Sequence, residues 1–410
     1  MLTHKPETND LRAWLRVVVL WLCGVFAAMQ FSKIAFVFAD LQATYAITPA
    51  QTGLLLSVVG MVGLVLGVTV GLFAPAIGYR RLLLTGLGLG AVLAFLQAQM
   101  PPYPLFLLTR VLEGASHLAV VVAAPTLISM NCPPGHRSLA MGLWGTFVGV
   151  AFALTAAAGS WVVARFQVNG LLLWHALAMT CMFIIALVVM RGNTEIETEA
   201  PHPRRWPRLT SLPRHHLTTY SQWVTALPGT CFFFYTVMAI SLLAFLPPLG
   251  GQHKAWLAIV LPLVNISGTF SAGWLAQYAV ASTLLVRIAF ASVGLGGAGL
   301  WLCYALGTGL APAAVVLAYL VGLAGGSALA LIPNLSHDPS TQARSNGAIA
   351  QMGNLGSTLG PPLFAYLIAA AGTPGLAVPV ILFALMGASL AAWGVGRLAR
   401  QGRIGPSPGA

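Results

Sequence analysis

The chain has 410 residues, of which 58% are hydrophobic and 7% charged, with a mean hydropathy of +0.85 and a net charge of +12. A soluble domain needs roughly 25% charged residues to cover its surface, so this composition excludes one and places the chain in lipid. The positive excess would suit nucleic acid in a soluble protein, but its distribution along the chain, given below, excludes that partner.

Hydrocarbon about 30 Å thick calls for about 20 apolar residues per helical pass. Read in chain order, twelve stretches qualify: 14–38, 52–73, 81–99, 104–129, 138–163 and 171–190, then 221–246, 255–278, 284–306, 311–332, 345–370 and 375–393. The 44 glycines and 26 prolines are compatible with this, since both residues are tolerated in membrane helices. Five scattered cysteines (Cys23, Cys132, Cys181, Cys231, Cys303) show no metal-ligand or disulfide spacing. No small-residue cleavage site follows a short apolar region, so the first helix is expected to be retained.

Between the sixth and seventh passes lies one extended polar segment, 191–220. It runs acidic (Glu195, Glu197, Glu199), then basic and proline-rich (Pro201, Pro203, Arg204, Arg205, Pro207, Arg208). Such a composition cannot bury apolar surface and reads as a flexible cytoplasmic linker. The organisation expected is therefore a six-helix half over 1–190, the linker over 191–220, a second half over 221–397, and a tail over 398–410.

Numbering the loops from an internal N-terminus puts sixteen of the twenty basic residues on the cytoplasmic side. They are Lys5, Arg12, Arg16, Arg80, Arg81, Arg137, Arg191, Arg204, Arg205, Arg208, Arg214, Arg287, Arg344, Arg397, Arg400 and Arg403. Only Arg165 and Lys254 fall outside. This positive-inside asymmetry places both termini in the cytoplasm and accounts for the net charge without nucleic acid.

The halves repeat. At an offset of 208 residues Gly114 falls on Gly322 and Pro125 on Pro333; at 207, Arg137-Ser138 falls on Arg344-Ser345 and Gly149 on Gly356. The second pass ends Gly71-Leu72-Phe73-Ala74 and the eighth Gly273-Trp274-Leu275-Ala276. Matches at corresponding helix ends read as an internal duplication, the usual plan of secondary transporters.

On these features the chain resembles the major facilitator superfamily along essentially its whole length. The run from Gly71 through Gly78 to Arg80 and Arg81 resembles that family's signature loop, and Arg110-x-x-x-Gly114 its fourth-helix motif. Residues 41–56 look like its first outer loop. The resemblance implies an all-α integral membrane fold of twelve transmembrane helices in two six-helix halves, with Gly71, Gly78, Arg80 and Arg81 as the gating loop. Pro75 stands where the signature carries an acidic residue, so the charge pair of that loop is not carried over. The fifth-helix Gly-Pro signature is also missing, although Gly360-Pro361-Pro362 occurs in the eleventh pass. Arg110 to His117 and Met141-Gly-Leu-Trp-Gly145 look closest to the cyanate-permease-like branch.

Ionisable groups inside the bilayer cost several kcal/mol and mark cavities or proton paths. Glu113 is the one acidic residue deep in a pass. With Arg110 and His117 it occupies an arc of about 60° on one helix face. The repeat places Ala318, Val321 and Gly325 at the matching positions, so the architecture does not require charge there. In the first pass Gln30 and Lys33 share a face, and Lys33 and Arg110 each lie about 10 Å in from the outer side. Two cations at one depth point to an anion site. The alternatives are an Arg110–Glu113 pair that only pins the fourth helix, and a Lys33 that snorkels to the outer interface. Gln351 and Asn354 offer hydrogen bonds from the eleventh pass, beside glycines that also suit close helix packing. Asn265 reads equally as a site residue or an interhelical bond. Trp144 and Trp161 are candidate cavity walls, His175 beside Trp174 reads as interfacial, and Asp40 as a solvated loop residue.

These features predict a proton-coupled secondary transporter in a bacterial inner membrane, carrying a small, anionic organic solute by alternating access of the two halves. Lys33, Arg110, Gln30, Gln351 and Asn354 would hold the solute, and Glu113 and His117 would carry the proton. The expected partners are the solute, membrane lipid and a proton or other coupling ion, with the protein a monomer and no cofactor or metal. The runner-up is an exporter of a siderophore or drug-like compound. A membrane enzyme would need paired acid/base groups or metal ligands that are not seen, and a sensor an effector domain. An ATP-driven pump is not expected, since the sequence has no phosphate loop and no soluble domain to hold one.

Overall fold

The structure is a computed structural model, and it describes residues 7–191 and 209–403. Lys5, the acidic run Glu195, Glu197 and Glu199, the basic Arg204, Arg205 and Arg208, and the tail beyond 403 lie outside the described residues. The described chain is almost entirely helical, as lipid requires: backbone N–H and C=O groups in hydrocarbon must be paired within their own segment.

The helices, in chain order, are α1 (Glu7–Phe36), α2 (Phe38–Tyr45), α3 (Pro49–Ile77), α4 (Tyr79–Ala98), α5 (Tyr103–Asn131), α6 (Arg137–Gly145) and α7 (Phe147–Val189). They continue as α8 (Leu212–Ser221), α9 (Trp223–Leu249), α10 (Lys254–Tyr278), α11 (Ser282–Ala305), α12 (Leu310–Leu335), α13 (Pro339–Ala371) and α14 (Pro374–Arg400). Ten described stretches are long and apolar enough to cross a membrane. One of them, Arg137–Val189, has 53 residues and holds two passes, because α7 is broken at Gln167 (φ 60°, ψ −169°). The remaining pass is α13, whose 33 residues are long enough but carry buried Gln342, Ser345 and Asn346. The fold is thus all-α, with twelve transmembrane helices in two related sets of six.

Two expectations need correction. The fifth pass is not one helix: it is interrupted at Thr146, between α6 and α7. The linker is not irregular throughout, since its last part folds as α8, where Thr219 is buried and its carbonyl accepts a hydrogen bond from the Thr225 hydroxyl at 2.5 Å.

The described residues form two compact units, one of 7–135 with 147–191 and 209–212, the other of 136–146 with 213–403. In the first, α1 packs on α7, α3 on α5 and α4 on both α5 and α7. In the second, α9 packs on α13, α10 on α12 and α11 on both α12 and α14. The same pairings recur, as a duplication requires.

Helix association in lipid depends on close backbone approach, because the tails are as apolar as the side chains. The repeated glycines supply it. A Cβ on Gly114 would lie 3.0 Å from the Val59 carbonyl of α3, and one on Gly322 would collide with the Asn265 carbonyl of α10. Along α13, Gly353, Gly356 and Gly360 face Phe232, Thr236 and Val237 of α9. These glycines serve packing, the alternative reading of that pattern.

Segment α6 packs within the second unit, against α10 and α12. Gly142 meets Gly273 there, with a Cβ on Gly142 only 2.7 Å from the Gly273 Cα. Ser138 ties the contact, its amide donating to Gln277 Oε1 at 3.0 Å and its hydroxyl accepting from Asn334 Nδ2 at 2.9 Å.

Candidate functional site

The first unit buries a charged cluster at the meeting of α1, α4, α5 and α7. Lys33 is 1% exposed, and Arg110 and Glu113 are fully buried. The Lys33 ammonium donates to Glu113 Oε1 at 2.7 Å, to Gln97 Oε1 at 2.8 Å and toward His175 Nδ1 at 3.1 Å. Its three protons are thereby all engaged. Lys33 therefore does not snorkel to an interface.

Glu113 is held from the other side as well. Its Oε2 accepts from Gln97 Nε2 at 2.7 Å and from the Arg110 guanidinium. Gln97 fixes the arrangement: its oxygen takes Lys33, and its amide group serves both Glu113 and Thr109 Oγ1. Arg110 also donates through Nε to the Leu55 carbonyl of α3 at 2.9 Å. Its Nη2, fully buried, has no hydrogen-bond partner among the described residues.

The histidine of the cluster is His175. Its Nε2 lies 3.0 Å from the Phe26 carbonyl, which can only accept. Lys33 can only donate to Nδ1, so His175 is neutral with its proton on Nε2. This corrects its reading as an interfacial residue: Trp174 is 51% exposed while His175 is 2% exposed. His117 lies elsewhere on the unit, its Nδ1 3.1 Å from the Ala27 carbonyl and its ring edge-on to Phe31 at 4.9 Å. No hydrogen bond joins it to Glu113 among the described residues. Gln30 is fully buried; its Nε2 donates to Ser116 Oγ at 3.0 Å, and its Oε1 has no partner among the described residues.

The second unit has uncharged groups at the matching place. Tyr235 donates to Asn265 Oδ1 at 3.2 Å, and Asn265 Nδ2 donates to the Ala318 carbonyl at 3.0 Å. Ala318 is the repeat counterpart of Arg110. Asn265 therefore bonds between helices. Asn354 bonds back to Ala350 on its own helix, and Gln351 accepts from the Tyr220 hydroxyl at 2.7 Å. Neither joins a polar cluster comparable to that around Glu113. Trp144 is buried in α6, while Trp161 is 51% exposed and packs edge-on to Phe166 and Trp174. Asp40 is exposed in the first turn of α2.

The residues read as a gating loop form scarcely any loop. Helix α3 runs to Ile77 with Pro75 in its last turn, and α4 starts at Tyr79. Gly78 alone makes the turn, at φ 91° and ψ 128°, where a side chain would be strained. Gly71 is buried in α3, Arg80 reaches the Leu187 carbonyl at 3.4 Å, and Arg81 is exposed.

Residues 20–361 match the Major Facilitator Superfamily. The chain belongs to that superfamily. Across 94% of its length it is 24% identical to 97% of the 3-(3-hydroxy-phenyl)propionate transporter of Escherichia coli K12. Among solved structures, 95% of the chain superposes on 100% of the human organic anion transporter MFSD10 with a TM-score of 0.74 at 15% identity. The proton:xylose symporter XylE bound to 6-bromo-6-deoxy-D-glucose gives 0.66 at 13% identity, over 94% of this chain and 95% of that one. As a superfamily member the protein is a multi-pass membrane transporter of small molecules.

Sequence reasoning found the three charged members of this transporter's cluster and missed Gln97 and His175. The available signal was polarity inside an apolar run, which Gln97 gives at the end of the third pass and His175 in the sixth.

Proposed function

We propose that this transporter moves a small organic anion together with protons, as a secondary active carrier in a bacterial inner membrane. The observation that carries the reading is the charge of the buried cluster. Two cations surround one carboxylate, and the remaining guanidinium nitrogen, Arg110 Nη2, has no acceptor among the described residues. A buried unpaired charge is costly, and an incoming carboxylate would both neutralise it and accept that hydrogen bond. Gln30 Oε1, also unpartnered, would take a donor from the same solute.

The names of two similar proteins support an anionic solute, a hydroxyphenylpropionate transporter and an organic anion transporter, while XylE supports proton coupling. Transport would follow from alternating access of the two repeated halves, with both termini cytoplasmic, as the basic residues imply. The carrier acts as a monomer and not as an enzyme, and its lineage lies near the cyanate-permease-like branch.

Reconstituted vesicles test the reading. Under an inward-directed proton gradient, they should accumulate 3-(3-hydroxyphenyl)propionate or a related carboxylate and leave xylose outside. Accumulation of neutral or cationic solutes alone would overturn it.

A further inference from the structure

We propose that Lys33, exchanging its proton through His175, is the coupling group, and that one proton crosses with each monovalent anion. The inference rests on the proposed function and goes beyond it, since the sequence assigned the proton to Glu113 and His117.

The argument is one of buried charge. Facing Lys33 are Gln97 from α4, Arg110 and Glu113 from α5, and His175 from α7. Lys33 and Arg110 against Glu113 leave the cluster at +1. Protonating Glu113 or His175 would raise that to +2. Arg110 does not release a proton under ordinary conditions. Loss of the Lys33 proton is therefore the one ionisation that lowers the buried charge, and it leaves the Arg110–Glu113 pair intact.

The acceptor is already in place. His175 Nδ1 faces the ammonium at 3.1 Å, with its lone pair free because the ring proton sits on Nε2. In the step, a Lys33 N–H bond breaks, its electron pair stays on Nζ, and the proton bonds to His175 Nδ1. His175 then releases the Nε2 proton to bulk water once the site faces water. Anion binding drives the reverse sequence.

Two forms of the site are then neutral. One is empty with Lys33 unprotonated; the other holds both the proton and a monovalent anion. The two half-loaded forms carry one net charge and meet the cost of a buried charge in lipid. Only the neutral forms reorient readily, which couples the two fluxes one to one. His117 bonds to the Ala27 carbonyl and makes no hydrogen bond to Lys33 or His175 among the described residues.

The chain has three lysines, Lys5, Lys33 and Lys254, so ¹⁵N-lysine labelling of a Lys5→Arg/Lys254→Arg protein isolates the Lys33 Nζ resonance. In substrate-free vesicles that resonance should shift from ammonium to amine as pH rises, with Glu113 ionised throughout. An ammonium that persists while the Glu113 carboxyl titrates would overturn the proposal. This readout needs no solute, so it stands apart from failure of the anion reading. For flux, Lys33→Arg keeps a charge that cannot leave. It should lower net proton-driven uptake by about tenfold or more relative to wild type. Should Lys33→Arg fail to fold, wild-type uptake decides: it should follow the pH gradient and ignore an imposed membrane potential. Potential-driven uptake would contradict the one-to-one ratio.

Discussion

Lys33 Nζ lies 2.7 Å from Glu113 Oε1, and this contact joins α1 to α5 with both side chains sealed from solvent. Each end of the bond has further partners, Gln97 and His175 for the lysine, Gln97 and Arg110 for the carboxylate. The cluster is thus a structural tie as well as a candidate binding site. Substitutions in it need a stability measurement beside every transport measurement.

Glu113→Gln should separate the two roles. It leaves Lys33 and Arg110 uncompensated in the interior, which costs about 3–5 kcal/mol for a buried pair broken on one side. A marked fall in melting temperature and folded yield is expected. Adding Lys33→Gln restores the original charge and should recover most of the yield without restoring proton-driven uptake. Recovery of uptake in the double variant would show that neither group is needed.

Gly142 and Gly273 give a packing test. A methyl group on Gly142 meets the Gly273 backbone at 2.7 Å and the Phe270 carbonyl at 3.0 Å, neither of which can move alone. Gly142→Ala should cost about 1–3 kcal/mol, as overpacking does. Gly53→Ala is the control, since a Cβ there meets nothing within 4 Å. Equal melting temperatures for the two variants would contradict the close α6–α10 contact.

Asp338 caps α13. It accepts from the Ser340 amide at 3.3 Å and the Thr341 amide at 2.9 Å, and from both hydroxyls at 2.6 Å. Partial burial alone would raise its pKa, but the hydrogen bonds from Ser340 and Thr341 outweigh that and hold it below the usual value. A depressed carboxylate stabilises the fold above its unfolded pKa, near 4, and the contribution fades as pH falls through the folded value. Asp338→Ala should cost about 1 kcal/mol at neutral pH. The difference from wild type should shrink on acidification. A gap that widens at low pH would reverse the sign of the argument.

Orientation has its own test, resting on the asymmetry of Lys and Arg. Arg403→Cys on a cysteine-free background should stay unlabelled by an impermeant thiol reagent in intact cells. Labelling from outside would invert the topology.

The helices and their duplication were legible because lipid imposes a simple code: apolar runs of fixed length, and glycines where backbones meet. Gly114 and Gly322 occupy the same place in both units for that reason. Lys33, Arg110 and Glu113 were legible because charge is rare in such runs. Their grouping was only half visible, since depth and helix face do not tell which neighbour closes the cluster. Trp174 misled the reading of His175. Consecutive residues point about 100° apart on a helix, so an outward Trp174 leaves its neighbour free to face inward. The break at Thr146 had no clear signal, because the residues adjoining it, Met141 to Gly145 and Phe147 to Ala151, form one unbroken apolar run with it.

Binding of organic acids to wild type and Arg110→Gln, measured side by side on folded protein, tests the central claim most directly. Arg110 gives one bond to Leu55 and one to Glu113, and its Nη2 has no partner among the described residues. Losing a charge-assisted bond should cost about 1.5–3 kcal/mol, or roughly ten- to a hundredfold in affinity. The account predicts a carboxylate that binds wild type and is weakened by that factor in the variant. Equal affinity in two equally folded proteins would contradict an anion site at Arg110.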